Sequence, residues 1–116
     1  MSDALILYNP DCSKCRATLQ LLRERGVEPQ IIEYLQHPPT AELFSRLLDA
    51  LGMAPREVLR RDDPDYAALD FDNPELSHAA LIALALAHPH LIQRPIVSIG
   101  GKAVIARPPD TVLALF

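Results

Sequence analysis

Cys12 and Cys15 are the chain's two cysteines, and they stand three residues apart in Cys12-Ser13-Lys14-Cys15-Arg16. A C-x-x-C that follows a strand and opens a helix, inside a βαβ unit, reads as a redox site. The helix N-terminus offers unpaired N–H groups and the positive end of its dipole, which favour thiolate over thiol at Cys12. Lys14 and Arg16 add positive charge nearby. Cys15 lies one helical turn on, so its sulfur is placed to reach that of Cys12. The spacing predicts a reactive Cys12 and, on mild oxidation, a Cys12–Cys15 disulfide within one chain. The plainer alternative is two buried cysteines acting as small hydrophobes. It suits Cys15, inside the helix, better than Cys12, in the loop. A zinc site would need four ligands; none of His37, His78, His88 and His90 shows finger spacing, so no metal is expected.

The cations are biased: nine Arg against two Lys. Arginine is the residue for bidentate binding of oxyanions. Arg23, Arg25 and Arg46 read as solvated helix faces. Arg60 ends a short helix after Val58-Leu59, Arg94 directly precedes Pro95 at a strand start, and Arg107 directly precedes Pro108-Pro109 at a strand end. These three are candidate anion ligands, although from spacing alone a structural role remains open for each. If clustered and buried they would need counter-charge, for which Asp11, Asp62 and Asp63 are candidates.

The elements that must position these groups follow from the pattern. Leu5 to Tyr8 reads as a buried strand ending in the Asn9-Pro10-Asp11 turn. Ser13 to Arg25 has helical spacing, with Gly26 as its C′ residue. Gln30 to Tyr34 is a second strand, parallel to the first across the helix. Thr40 caps a helix whose apolar face is Leu43, Phe44, Leu47, Leu48 and Leu51, and Gly52 stops it. Pro55 starts a short turn through Leu59, and Asp62 to Asp65 reads as an acidic loop. Asn73-Pro74-Glu75 is a helix start followed by Leu76 to Ala87, apolar almost all round and so expected deep against the sheet. Pro95 to Ile99, Gly100-Gly101 and Lys102 to Ala106 form a hairpin signature. Arg107-Pro108-Pro109-Asp110 opens a last helix, with Val112, Leu113 and Phe116 inward. The order βαβ, helices, ββα predicts an α/β, thioredoxin-like four-stranded mixed sheet. A helical insertion at about 38–90 separates the two halves of a single domain, 1–116.

Composition excludes several classes. The length of 116 residues suits one domain, and 49% hydrophobic with 22% charged residues is globular and not disordered. The net charge of −4 argues against a generic nucleic-acid binder, which needs a basic face. The longest apolar run, Ala79 to Ala87, is about half a membrane span. Met1-Ser2-Asp3-Ala4 has no basic region of a signal peptide, so a reducing cytoplasm is expected, where paired cysteines are reactive more often than structural. Eleven prolines against four glycines imply turns built on X-Pro corners.

Tyr8-Asn9-Pro10-Asp11-Cys12-Ser13-Lys14-Cys15-Arg16, then Leu59-Arg60, Arg94-Pro95-Ile96-Val97 and Arg107-Pro108, resemble the glutaredoxin-coupled arsenate reductase family, including its less characterised members. The resemblance runs from about residue 5 to the C-terminus. It implies a thioredoxin-like fold with Cys12 as nucleophile, Arg60, Arg94 and Arg107 around the oxyanion, Arg16 in support, and Pro95 in the cis form. It implies reduction of arsenate, or another small oxyanion, to arsenite. Glutathione serves as second thiol and glutaredoxin restores the enzyme, with thioredoxin as the other candidate reductant. No cofactor is expected to be bound, beyond glutathione as co-substrate, and the chain is expected to be a monomer without nucleic-acid or membrane partners. Two departures stand out: members of this type have His where this chain has Tyr8, and often a non-thiol at Cys15. A second thiol there occurs in redox-responsive transcriptional regulators of the same fold. Two other readings are therefore carried. One is a general thiol–disulfide oxidoreductase whose arginines bind another anion, such as a glutathione carboxylate. The other is a redox-responsive adaptor that docks on a protein partner, disfavoured because the chain stops at Phe116 without the longer tail such adaptors often have.

Overall fold

In the computed structural model, which describes residues 3–116, the strands β1 (Leu5–Leu7), β2 (Gln30–Ile32), β3 (Ile96–Ile99) and β4 (Lys102–Ile105) form one sheet in the order β2-β1-β3-β4. β1 runs parallel to β2, pairing Ile6 with Ile31, and antiparallel to β3, pairing Ile6 with Val97. β3 and β4 are antiparallel and joined at Gly100-Gly101, whose φ values of 55° and 85° give the left-handed turn that a two-residue hairpin needs. The mixed, four-stranded thioredoxin-like sheet expected from the element order is present.

The chain forms two compact units: one from the segments ending at Pro38 and starting at Arg94, the other from Pro39–Gln93. In the first, α1 (Ser13–Glu24) connects β1 to β2. Its core face meets the sheet through Ile6, Leu19, Leu22, Val97, Ala106 and Val112. Gly26, at φ 78°, ends the helix in a Schellman motif: its N–H bonds to the Arg23 carbonyl and that of Val27 to Leu22. β2 stops at Ile32, short of the expected Tyr34. The backbone turns there, with the amides of Gln36 and His37 on the Glu33 carbonyl, and Tyr34 points into the interior.

The C-terminal segment Pro109–Leu115 is a 3-10 helix and not an α-helix. With three residues per turn, Val112 and Leu115 share a face, so Val112 is buried and Leu115 packs beside it. Leu113 also packs there, but Phe116, expected inward, is 52% exposed and carries the Arg25 guanidinium 5.7 Å over its ring.

The second unit holds α2 (Ala41–Leu51), α3 (Pro64–Ala68) and α4 (His78–Ala87), with 3-10 turns at Pro55–Val58 and Pro89–Leu91. Thr40 caps α2 on the Leu43 amide, as expected. The acidic loop is in fact the start of α3: Asp63 accepts the Asp65 amide and Pro64 takes the first helical position. α4 starts later than expected. Asn73 closes a local turn onto the Glu75 amide, and the helix takes its cap from Ser77, which accepts the Ala80 amide. Leu81, Ile82 and Ala85 are buried while Ala79, Ala83 and Ala87 are exposed. An alanine face exposes little apolar area, so a helix that reads as apolar all round packs one-sidedly, here against α2 and both 3-10 turns. No helix among the described residues is long and apolar enough to cross a membrane.

Candidate active site

Cys12 is the N-cap of α1, with extended backbone at φ −98° and ψ 119°. The loop before it is pinned: the Cys12 amide donates to the Asn9 carbonyl at 3.0 Å, Asn9 Oδ1 accepts the Asp11 amide at 3.0 Å, and Arg16 Nη1 donates to the Pro10 carbonyl at 2.7 Å. Arg16 thus holds the loop that carries the thiol. Cys12 is half-buried, Cys15 is fully buried, and both are free thiols.

Burial alone would raise the Cys12 thiol. It is outweighed by the polar groups around the sulfur, the Cys15 amide and side chain, the Arg94 guanidinium and the Lys14 amide, so the pKa is lowered. Those amides are the free N–H groups of the first helical turn, although no short cap bond closes on the sulfur. Cys15 moves the other way, up to about 12. Burial is the main cause; the Asn9 amide opposes it, and the hydrogen bond and charge of Cys12 add to it. The pair is asymmetric: the half-buried Cys12 is shifted toward its thiolate, and the buried Cys15 is shifted away from it. Iodoacetamide alkylation of Cys12 followed against pH should therefore give a midpoint below that of a free thiol. A midpoint at or above that value would contradict the arrangement.

Arg94 stands at the start of β3, and its peptide bond to Pro95 is cis; so is Arg107–Pro108, which the sequence did not signal. The Arg94 side chain is half-buried and near enough to Cys12 to favour its thiolate. Burial disfavours its charge, and the neighbouring Tyr34 oxygen and Cys12 sulfur more than offset that. Tyr34 is 0% exposed, its phenol pushed up to about 12 by burial against the opposing charge of Arg94. Nothing in the residue pattern marks its place here, because Gln30 to Tyr34 reads simply as a short strand.

Both raised groups bear on stability. Between their ordinary values of 9.0 and 10.0 and about 12, Cys15 and Tyr34 stay protonated in the fold but would ionise in the unfolded chain. The unfolded state then binds fewer protons, so stability falls as pH rises through that window. Urea unfolding at pH 8 and 11 should show the loss, and Cys15→Ser should flatten its lower part. Equal midpoints at both pH values would refute it.

The other predicted arginines are placed differently. Arg107 is exposed, at the end of β4, with its amide on the Ile105 carbonyl. Arg60 belongs to the second unit and is half-buried. It follows the Leu59–Ile92 bridge, and its amide donates to the Leu91 carbonyl at 2.7 Å. Three buried guanidinium groups were expected; Arg107 departs from that because it lies past the last strand, where Ala106 is the residue that turns inward. Nor does Asp11, Asp62 or Asp63 pair with any of the three. The ion pairs among the described residues are Arg23–Glu28, Arg46–Glu42 and His90–Asp65. Asp63 spends its carboxylate as a helix cap.

Tyr8, four residues before the thiol, lines a groove of about 490 Å³ along α1 with Arg16, Leu19, Gln20, Arg23 and Glu24. Its two cations are already engaged, Arg16 on Pro10 and Arg23 in a two-pronged bond to Glu28.

Comparisons with known proteins fit this geometry. The ArsC family model matches residues 7–115. The chain is 45% identical over 111 residues to the uncharacterized protein YfgD of Escherichia coli K12, covering 95% of this chain and 93% of that one. It is 40% identical over 116 residues to an arsenate reductase of Neisseria meningitidis serogroup A, covering 99% of each. An arsenate reductase structure from Vibrio cholerae superposes with a TM-score of 0.89 at 41% identity, covering 97% of each chain. With the thiol at a helix start, the cis Arg94–Pro95 bond and a match over nearly the whole length, the chain belongs to the ArsC family.

Proposed function

We propose that this chain is an oxidoreductase that reduces arsenate to arsenite, with Cys12 as the nucleophile. The reading is carried by Cys12 standing as N-cap of α1 with the Arg94 guanidinium near enough to favour its thiolate. Attack of one anion on another is opposed by Coulomb repulsion, and a guanidinium shared by thiolate and oxyanion removes much of that barrier. The relatives named arsenate reductase support the choice of oxyanion. Arg60 and Arg107 are assigned to the same anion from the motif match. Neither side chain has a hydrogen bond or ion pair among the described residues, which leaves both forks free for a ligand.

In the first step the Cys12 thiolate forms an S–As bond and one arsenate oxygen leaves as water after protonation. A second thiolate then attacks the Cys12 sulfur. The S–As electron pair goes to arsenic, which leaves as As(III), and two thiols become one disulfide. Cys15, one turn from Cys12, is one candidate for that second thiol, and glutathione followed by glutaredoxin, in the reducing cytoplasm expected for this chain, is the other. Arsenate-dependent NADPH oxidation, run once with glutathione plus glutaredoxin and once with thioredoxin, tests the reading. Turnover with either is expected, and none with both would overturn it. The Cys15 thiol on Cys12 also suits plain thiol–disulfide exchange, which would then take its place.

A further inference from the structure

Two buried side-chain polar atoms lack a hydrogen-bond partner among the described residues: the Tyr34 hydroxyl and Arg94 Nε. They are neighbours, in the same compact unit as both cysteines. An unpaired polar atom in a core costs free energy, and each one in a folded protein calls for a reason. Packing is not the reason here. The Tyr34 ring fills core space that phenylalanine would fill equally well, without burying an orphan oxygen. Of the groups that act on the hydroxyl, Arg94 and the two cysteines, Arg94 is the one with a buried donor left unpaired, and it in turn acts on Cys12.

We infer that Tyr34 is a positioning residue for Arg94: its phenol oxygen accepts Arg94 Nε–H when the guanidinium engages an anion, the Cys12 thiolate or a bound oxyanion, fixing the guanidinium plane with its outer edge toward Cys12. A guanidinium carries five donors in a rigid fork, so fixing one edge aims the other. A carboxylate would orient Arg94 too, but would also neutralise it and compete with the anion. A phenol held protonated, at about 12, orients without cancelling charge. The identity of the anion rests on the proposed arsenate reading, while the link from Tyr34 through Arg94 to Cys12 does not.

The test is Tyr34→Phe in the full chain, alone and with Arg94→Lys. The readouts are the pH midpoint of Cys12 alkylation, protection of Cys12 from iodoacetamide by arsenate, and thermal unfolding. Tyr34→Phe should leave Tm unchanged or raise it, because only the orphan oxygen is removed. The alkylation midpoint should rise, and the arsenate concentration for half-protection should rise on the order of tenfold, as for a lost hydrogen bond to a charged group. Both effects should vanish in the Arg94→Lys background, where no fork remains to be aimed. Unchanged midpoint and protection in Tyr34→Phe, or equal changes with and without Arg94, would overturn the inference. If arsenate protects no form of the protein, the arsenate reading fails and the alkylation midpoint alone decides. Should Tyr34→Phe not fold, the Arg94 Nε–H proton resonance of the parent decides. A downfield shift on adding arsenate supports the inference, and no shift overturns it.

Discussion

Cys12→Ser is expected to end arsenate turnover, a loss of about 10³-fold or more, because both half-reactions run through that sulfur. A serine hydroxyl is not ionised at neutral pH, so the first attack fails. Oxygen also cannot form the disulfide that carries away two electrons, so no alternative base rescues the second step. Cys15→Ser should behave differently. Its hydroxyl still donates to the Cys12 sulfur, so the Cys12 thiol should stay low and the first attack should survive. What goes is the internal disulfide. Turnover with thioredoxin should collapse, while turnover with glutathione plus glutaredoxin persists. The asymmetry of the pair explains why Cys15 waits its turn. Part of what holds it near 12 is the hydrogen bond and charge of Cys12 itself. Once Cys12 is bonded to arsenic that part is relieved while burial, the larger cause, stays, so Cys15 ionises more readily than before and can attack. Non-reducing mass spectrometry of the mildly oxidised parent should find Cys12 joined to Cys15. Recovery of only glutathione adducts or intermolecular dimers would make Cys15 a core residue and leave the second step to an external thiol.

The parts of this site that local chemistry writes were legible in the sequence. A strand, a proline turn, two cysteines at helical spacing and a closing glycine give β1, the Cys12 loop and α1 almost to the residue, and Gly100-Gly101 gives the hairpin. What escaped depends on how segments meet. Tyr34 reads as the end of a short strand, but β1 ends at Leu7 and offers no partner beyond Ile32, so the chain turns and the ring goes inward. The start of α4 was misjudged because Asn73 and Ser77 are both competent caps, and propensity does not rank them. Asp63-Pro64-Asp65 does carry a cap, a first-position proline and a first-turn acid, the usual signs of a helix start, but the acids Asp62, Asp63 and Asp65 around one proline also read as a solvated loop. Phe116 depends on the helix type: periodicities of 3.6 and 3.0 diverge by about a third of a turn over a seven-residue segment.

Replacing Arg94 by Lys separates an oxyanion reductase from a thiol exchanger, and arsenate turnover is expected to fall about tenfold or more. The charge is kept, so a loss cannot be assigned to electrostatics alone. What lysine lacks is the planar fork that can bond two arsenate oxygens, or one oxygen and the Cys12 sulfur, at fixed angles. The effect should fall mainly on arsenate kcat/KM and far less on alkylation of Cys12 by neutral iodoacetamide, a reaction with no anion to hold. Arg60→Lys and Arg107→Lys follow the same logic from a different starting point. Arg94 is already committed to the thiol in the empty protein, whereas Arg60 and Arg107 have no side-chain partner among the described residues to lose. Their substitution should therefore leave the Cys12 midpoint where it is and act through arsenate alone. Arg94→Lys alone should move both quantities, the midpoint slightly and the turnover strongly. If all three variants keep full arsenate turnover, no guanidinium fork is being used on an anion. The arginines are then structural or serve the carboxylates of a thiol substrate, and disulfide exchange between Cys12 and Cys15 becomes the activity that the site performs.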